Sequence, residues 1–385
     1  MGVSVPRDLL SLPTPQRILV RGVNWLGDAI MSTPALTRLR QRFPNSQISL
    51  LTPAKLADLW QNFPALDSVL TFSAGESPWA VGRRLPQIQA DLALTFPNSP
   101  RSALELWIAR IPERVGYARP WRNWFLTRAL PSGTGRLLTH KRSISEIKNL
   151  VQPGGGLASR PSPVPVRHQL HEYLHLVAAL GADPAPLAPA ITVAHEETLA
   201  AAKKFGLPDS TTDFPFFGLN PGAEYGPAKR WPADHFVAAA SCLQATTRGR
   251  WIIFGGPGDI NLANRLANDI SALPGNASVF NLAGKTTLRD LCALLKLCRV
   301  VLTNDTGPMH LAAAVGTPVV TPFGSTSAEL TGPGLPGDPS QRHQLLQSAV
   351  PCSPCFRRQC PIDFRCMTSI SPEAVAEAVR RAARL

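Results

Sequence analysis

Arg299-Val300-Val301-Leu302-Thr303-Asn304-Asp305-Thr306-Gly307-Pro308-Met309-His310-Leu311-Ala312-Ala313-Ala314-Val315-Gly316 is the stretch that decides the fold. Its first five residues form a β-branched, apolar run that reads as a buried strand. A tight turn follows, then a helical pattern. Asp305 or Thr306 is placed to cap that helix, Pro308 suits its first turn, and Gly316 with Pro318 ends it. A strand passing through a turn into a helix is the repeating half of a parallel βαβ unit.

Working outward, the same alternation recurs. Strands are expected at 215–220, 250–254, 278–282 and 317–321, with helical stretches between most of them. Upstream, Arg17-Ile18-Leu19-Val20-Arg21 reads as a strand and 28–42 as a helix, followed by strands at 47–51, 68–72 and 91–96. Strand–helix alternation at this spacing predicts an α/β fold of two doubly wound, Rossmann-like parallel sheets side by side. A chain of 385 residues is also too long for one ordinary core. The Pro-rich stretch 183–190 is the best linker, which divides the chain into 1–185, 186–371 and a last helix at 372–385. The segment 131–168, with Gly154-Gly155-Gly156, reads as a long mobile loop, either a lid or an insertion. Ligands of such sheets lie beyond the carboxyl ends of the strands and, between two such domains, in the cleft.

Composition narrows the class. Hydrophobic residues make up 44% and charged residues 17%, the profile of a soluble globular protein. No apolar run reaches the ~20 residues that span a bilayer, and the N-terminus lacks an export-type apolar region. The expected location is the cytoplasm. The formal net charge of +13 is uneven. Residues 1–190 hold 21 Lys/Arg against 11 Asp/Glu, and the remainder 18 against 15. A basic first half suits a polyanion or an acidic membrane surface. The charges are scattered and no nucleic-acid motif accompanies them, so nucleic acid is not an expected partner.

Four loops carry chemistry-bearing residues. In the first, the N-terminus of the helix after Thr303 offers unpaired N–H groups and a positive dipole end to a diphosphate. Gly307 permits close approach there, and Thr306 and His310 add donors. In the second, Asn220-Pro-Gly-Ala-Glu-Tyr-Gly-Pro-Ala-Lys-Arg-Trp-Pro232 gathers glycines, aromatics and the cations Lys229 and Arg230 at another strand end. Lys229 is a natural counter-ion for a departing diphosphate. In the third, Asn24-Trp25-Leu26-Gly27-Asp28 follows the first strand. It is neither a GxGxxG fingerprint nor a Walker loop, and Asp28 serves there either as a helix cap or as a general base. In the fourth, Cys352, Cys355, Cys360 and Cys366 crowd into fifteen residues. Their spacing suits free thiols, or a structural metal with an imperfect zinc pattern. His171 and His175 stand four apart but lack an acidic partner motif, and read as surface or acceptor-facing residues.

Three of these loops, and part of the fourth, resemble signatures of one family. Asn24-Trp-Leu-Gly-Asp-Ala-Ile-Met-Ser-Thr-Pro-Ala-Leu36 resembles the N-terminal signature of the lipopolysaccharide heptosyltransferases. Pro221–Pro232 and Asn304–His310 are similar to its donor-site signatures, and Cys352–Pro361 to a C-terminal element of the heptosyltransferase II branch. The resemblance spans residues 17–380 in matching order. It implies a GT-B fold in which the first domain takes the acceptor and the second takes ADP-heptose. It also implies a last helix that packs back on the first domain. The implied reaction is inverting transfer of L-glycero-D-manno-heptose to a heptose of the inner core, with Asp28 as base and no required cofactor. Lys229, Asp305, Thr306, Gly307, Pro308, His310 and Glu224 would line the donor, and Asp259 would accept from its ribose. Asn24, Trp25 and Gly27 fall on the acceptor side. The implied partner of the basic half is phosphorylated lipid A-core at the anionic inner-membrane surface. Rival readings are a relative with another donor or acceptor, a sugar-nucleotide epimerase, which would need further cleft carboxylates, and a non-catalytic scaffold, against which Asp28 and Lys229 argue.

Overall fold

The computed structural model describes residues 14–131, 140–152, 168–209, 214–244, 247, 249–275, 278–338 and 340–384. They fall into two compact units, Met1–Arg136 with His168–Thr192, and Leu137–Arg167 with Val193–Leu385.

The first unit is built on β1 (Arg17–Arg21), β2 (Gln47–Pro53), β3 (Ser68–Phe72), β4 (Leu92–Thr95), β5 (Glu113–Tyr117) and β6 (Arg128–Leu130). All neighbours are parallel, in the order β3-β2-β1-β4-β5-β6. Ile18, Leu19 and Val20 of β1 are wholly buried, as a central strand covered on both faces requires. The covering helices are α1 (Leu26–Arg42), α2 (Pro78–Arg84) and α3 (Pro100–Ile108). Strand order reverses between β1 and β4, so the loops after these two strands open at the topological switch point.

Residues 140–152 belong to the second unit and contain α4 (Ile144–Leu150). The described part of the expected loop is therefore a helix with its own start signal. Ser143 accepts from the Glu146 N–H, and Glu146 reaches back to the Ser143 N–H. That backbone bond, reinforced by His140, draws the Glu146 carboxyl down to about 2. Residues 132–139 and 153–167, with the glycine run, lie outside the described residues. The chain then re-enters the first unit through α5 (Leu170–Ala178).

The expected boundary at 185 is also displaced, because the first unit continues to Thr192. The Pro-rich segment is tied to α1: Arg38 donates to the Ala185 carbonyl and pairs with Asp183, and the Ala190 N–H donates to Thr33. Fixed φ at each proline makes it a strap that costs little entropy to immobilise.

The second unit repeats the plan. Its strands are β7 (Phe216–Asn220), β8 (Arg250–Ile253), β9 (Val279–Asn281), β10 (Cys298–Thr303), β11 (Val319–Phe323) and β12 (Gln344–Gln347), parallel in the order β12-β11-β10-β7-β8-β9. The helices are α6 (His195–Lys204), α7 (Ala233–Gln244), α8 (Ile260–Ser271), α9 (Leu288–Leu297), α10 (Gly307–Ala314), α11 (Ala328–Thr331), α12 (Arg365–Thr368) and α13 (Pro372–Ala383). Here the order reverses between β7 and β10.

The last helix contributes to the second unit's core. Val375, Ala376, Val379 and Ala383 of α13 form one apolar stripe, and they are buried in the same cluster as Phe236, Ala240 and Leu243 of α7. At about 1.5–3 kcal/mol for each large aliphatic side chain removed from water, that stripe is a working part of that core. No described helix is long and apolar enough to cross a membrane.

Candidate active site

The switch point of the second unit lies between β7 and β10, and the loops leaving these strands are the two quoted above, 221–232 and 304–306. Asn304 joins them. Its side-chain carbonyl accepts from the Trp231 N–H at 3.0 Å and its amide donates to the Pro221 carbonyl at 2.7 Å. Asn220, at the end of β7, donates to the hydroxyls of Thr303 and Thr306, each at 3.2 Å. The primary amide suits both positions: that of Asn304 accepts through its oxygen and donates through its nitrogen, and the two N–H hydrogens of Asn220 serve two hydroxyls.

Lys229 crosses from one loop to the other. Its ammonium lies 2.6 Å from Asp305 Oδ2 and 3.3 Å from the Asp305 backbone carbonyl, with Tyr225 beside it at 4.8 Å from nitrogen to ring centroid. Asp305 is 4% exposed and accepts a second hydrogen bond from Thr326, also at 2.6 Å. The ion pair is thus anchored on three loops of the same sheet edge. Asp305 is turned to Lys229 and Thr326 in this arrangement, and it fixes Lys229 in a pair that carries no net charge.

Neither candidate cap of α10 performs that task. Thr306 occupies the N-cap position without a side-chain cap bond, since its hydroxyl is engaged by Asn220, and Asp305 is engaged by Lys229. Gly307 and Pro308 form the first helical positions, and the first-turn N–H groups are left without a side-chain acceptor. His310 is buried one turn in, and Glu224 is exposed on the 221–232 loop. Asp259 is occupied differently from expectation: it accepts from the Gly256 N–H at 3.1 Å and lies 3.6 Å from Arg230. It also presses on Gly222, where a Cβ would meet its Oδ2 at 2.3 Å, so any larger residue at 222 requires the Asp259 carboxylate to move.

In the first unit, the loop after β1 is held by Arg21. Its guanidinium pairs with buried Glu105 at 2.8 Å and donates to Asn24 Oδ1 at 3.0 Å. Asn24 is therefore a prop for the loop. Trp25, at the N-cap position of α1, makes no side-chain cap bond; its ring is half exposed, with Lys55 over it at 5.1 Å. Gly27 and Asp28 lie in the first helical turn. Asp28 Oδ1 accepts from the Gln169 amide at 2.7 Å, and the same amide reaches the Tyr173 hydroxyl at 3.1 Å. Complete burial, then the charge of Asp28, push the Tyr173 phenol well above its ordinary value of 10. Asp28 is thus an oriented carboxylate in the first turn of α1. His175, read from the sequence as a surface or acceptor-facing residue, stacks on Tyr117 and lies 3.0 Å from its hydroxyl.

Gln169, Tyr173 and Thr326 escaped the sequence reading, and no local pattern marks them. So did the segment that carries the cysteines. Ser325 accepts from the Cys355 and Phe356 N–H groups, and the Arg358 carbonyl accepts from the Ala228 N–H at 3.0 Å. This carbonyl sits where a Cβ on Gly226 would be, 2.5 Å away, and Gly226 itself has φ +152°. The cysteine segment thereby braces two loops of the donor edge. All four of its cysteines are free thiols, and burial pushes Cys366 up to about 12. Among the described residues no group of three or more His, Cys, Asp or Glu is arranged to hold a metal ion.

Comparison with known proteins follows this geometry. Residues 157–364 match the family described as glycosyltransferase family 9 (heptosyltransferase). The lipooligosaccharide heptosyltransferase 2 of Haemophilus influenzae is 31% identical over 82% of this chain and 85% of that protein. The chain belongs to glycosyltransferase family 9. The lipopolysaccharide heptosyltransferase 2 of Salmonella typhimurium is 29% identical over similar shares, 82% and 85%. The solved structure of the E. coli ADP-heptose lipopolysaccharide heptosyltransferase II superposes with a TM-score of 0.74 at 26% identity, covering 96% of this chain and 98% of that one. The two parallel six-stranded sheets are accordingly the two Rossmann-like domains of a GT-B glycosyltransferase, and this family 9 member is an enzyme.

Proposed function

We propose that this glycosyltransferase moves L-glycero-D-manno-heptose from ADP-heptose to a heptose of the lipopolysaccharide inner core, with inversion. The observation that carries the donor half is the Lys229–Asp305 pair beside the uncapped first turn of α10. A pre-oriented ammonium and a helix N-terminus are the two features that stabilise charge growing on a leaving diphosphate. The relatives at 29–31% identity are named as heptosyltransferases of lipopolysaccharide and lipooligosaccharide, and the solved relative is described as an ADP-heptose enzyme.

In the reaction, an acceptor hydroxyl oxygen forms the new bond to the anomeric carbon while that carbon's bond to the β-phosphate oxygen breaks. The hydroxyl proton passes to Asp28, and ADP departs with its added charge held by Lys229 and the N–H groups at Thr306, Gly307 and beyond. Asp28 suits that role because the Gln169 amide orients its carboxylate in the first turn of α1. Arg230 and Asp259 lie on the same edge, where the nucleoside would be received. No step calls for a metal or other cofactor. The acceptor is lipid-linked, so we place the enzyme in the cytoplasm, at the anionic surface of the inner membrane.

The test is a panel of nucleotide sugars offered with core-truncated lipopolysaccharide and read by mass spectrometry. A heptosyl mass increment from ADP-heptose alone is the expected result. Transfer from another donor, with none from ADP-heptose, overturns the proposal.

A further inference from the structure

Besides Trp25 in the loop after β1, four of the eight tryptophans stand at the surface of the first unit: Trp79, Trp107, Trp121 and Trp124, which are 51%, 45%, 75% and 78% exposed. They are not scattered. Trp79 is on α2, Trp107 on α3, and Trp121 and Trp124 on the connection from β5 to β6. These three crossovers, β3 to β4, β4 to β5 and β5 to β6, all advance the same way along the sheet, so the right-hand rule puts them on one face. Contacts agree. Val81 of α2 and Leu85 just past it share a buried cluster with Leu106 of α3 and Ala109 just past it, Trp107 meets Phe125 at 5.9 Å between ring centroids, and Trp121 meets Trp124 at 6.1 Å.

The connection is built to present its rings. Arg122 between them is turned inward and wholly buried, donating to the Pro97 carbonyl at 2.8 Å, which pins the chain beneath. Trp121 itself holds φ +64°, a left-handed conformation rare for a bulky side chain. Local folding would be served by a smaller residue there, and by a polar one at 124.

The same layer is basic. Residues 78–130 hold eight arginines, no lysine and three acids. Each acid is already satisfied: Glu105 is buried against Arg21 and Arg101, Glu113 is held by Arg128, and Asp91 accepts from the Gln16 and Arg17 N–H groups. Arg83 and Arg110 are exposed with no acidic partner among the described residues, and Arg83 lies 6.0 Å from the Trp79 ring.

We infer that this tryptophan–arginine layer is a docking surface for an anionic phospholipid bilayer. Indole rings are amphipathic and settle at the headgroup level, and neighbouring guanidiniums take the lipid phosphates. Four exposed indoles carried by three elements of one face, with arginines between them, match an interface that is apolar at headgroup depth and anionic above it. The inference rests on the reading that the acceptor is lipid-linked only for its biological purpose.

The test uses the full chain and vesicles of phosphatidylcholine, with or without phosphatidylglycerol, read by co-sedimentation and by tryptophan quenching from brominated acyl chains. Wild type is expected to partition onto the anionic vesicles, to lose binding as salt rises, and to be quenched. The W121S/W124S variant, checked for native circular dichroism and melting, should lose both signals. R83Q/R110Q should weaken anionic-vesicle partition roughly tenfold or more while melting as wild type does. Equal binding to both vesicle types, or wild-type partition by W121S/W124S, overturns the inference. So does a wild-type dimer in light scattering that the variant abolishes, with no vesicle binding, since the surface would then join two copies. Turnover is not read in this assay, so its failure leaves the transferase reading standing, and failure of the donor panel leaves the surface standing.

Discussion

Removing Lys229 should do two separable kinds of damage. Lys229→Ala leaves Asp305, 4% exposed, with only the Thr326 hydroxyl as partner. Breaking a buried pair from one side costs about 3–5 kcal/mol, because the surviving charge stays desolvated. The Lys229 side chain is 14% exposed, so solvent reaches the pair and the lower end, about 3 kcal/mol, is expected. The adjacent Lys229→Ala/Asp305→Asn variant carries no orphaned charge and should recover at least half of that loss. Turnover should behave otherwise. A pre-oriented donor to a growing negative charge is worth about 2.7–4 kcal/mol of barrier, or roughly 100–1000-fold in rate. Both variants should show that loss, since neither supplies the ammonium. The stability arm is a urea titration followed by the fluorescence of Trp231 and Trp251, both buried in the second unit. The kinetic arm is ADP release under saturating acceptor. If the double variant is no more stable than the single one, Asp305 is not a compensated buried charge. If it regains turnover, Lys229 acts only as a structural partner and the donor assignment fails.

Asp28→Asn should lower turnover by roughly 100- to 10,000-fold with little change in donor affinity. Gln169→Leu, which removes one hydrogen bond to that carboxylate, should cost about 1.5–3 kcal/mol of barrier, and a turnover within twofold of wild type would refute the positioning role. Arg122 is buried with Nε and one terminal nitrogen lacking a partner among the described residues, and burial draws it down to about 10. Arg122→Met should therefore change the melting temperature little or raise it. Arg21→Met, which strips buried Glu105 of its closer partner, should lower it clearly. Burial draws His343 down from 6.5 to about 4, with its Nδ1 accepting from the Val319 N–H. The unfolded chain binds that proton first, so stability should fall as pH drops from about 6.5 toward 4. His343→Gln should flatten that decline in melting curves taken across the interval.

What was legible in the sequence depended on how local its cause was. Arg17–Arg21 and the run ending at Thr303 announce themselves, because a strand buried on both faces must be apolar throughout. β5, β6 and β12 do not. Glu113-Arg-Val-Gly-Tyr117 mixes charge and glycine, β6 has three residues, and Gln344-Leu-Leu-Gln347 is an edge strand with polar ends. The amphipathic pattern of α13 shows that a face will be buried and is silent on what buries it. At the site, Lys229 and Asp305 were both readable as polar residues at strand ends. Their pairing was not, since 76 residues separate them and only the β7–β10 reversal brings them together. Gln169 lacks any local signal, as an isolated glutamine at a helix start has many ordinary reasons to be there.

The assignment of 137–167 to the second unit, inside a chain otherwise still completing the first, has a consequence for biosynthesis. The polypeptide crosses between units three times, near 136, 167 and 192. An emerging chain that has reached Thr192 holds every part of the first unit, yet carries α4 with Ile147 still lacking Cys352 and Cys355, which follow much later in the chain. That helix and its apolar side chain wait in the nascent chain for some 200 residues, tens of seconds at ~5–20 residues per second. Truncation at the interunit boundary would make the wait permanent, so the two halves are not interchangeable cassettes, and grafting the second unit between relatives requires moving α4 together with the C-terminal part.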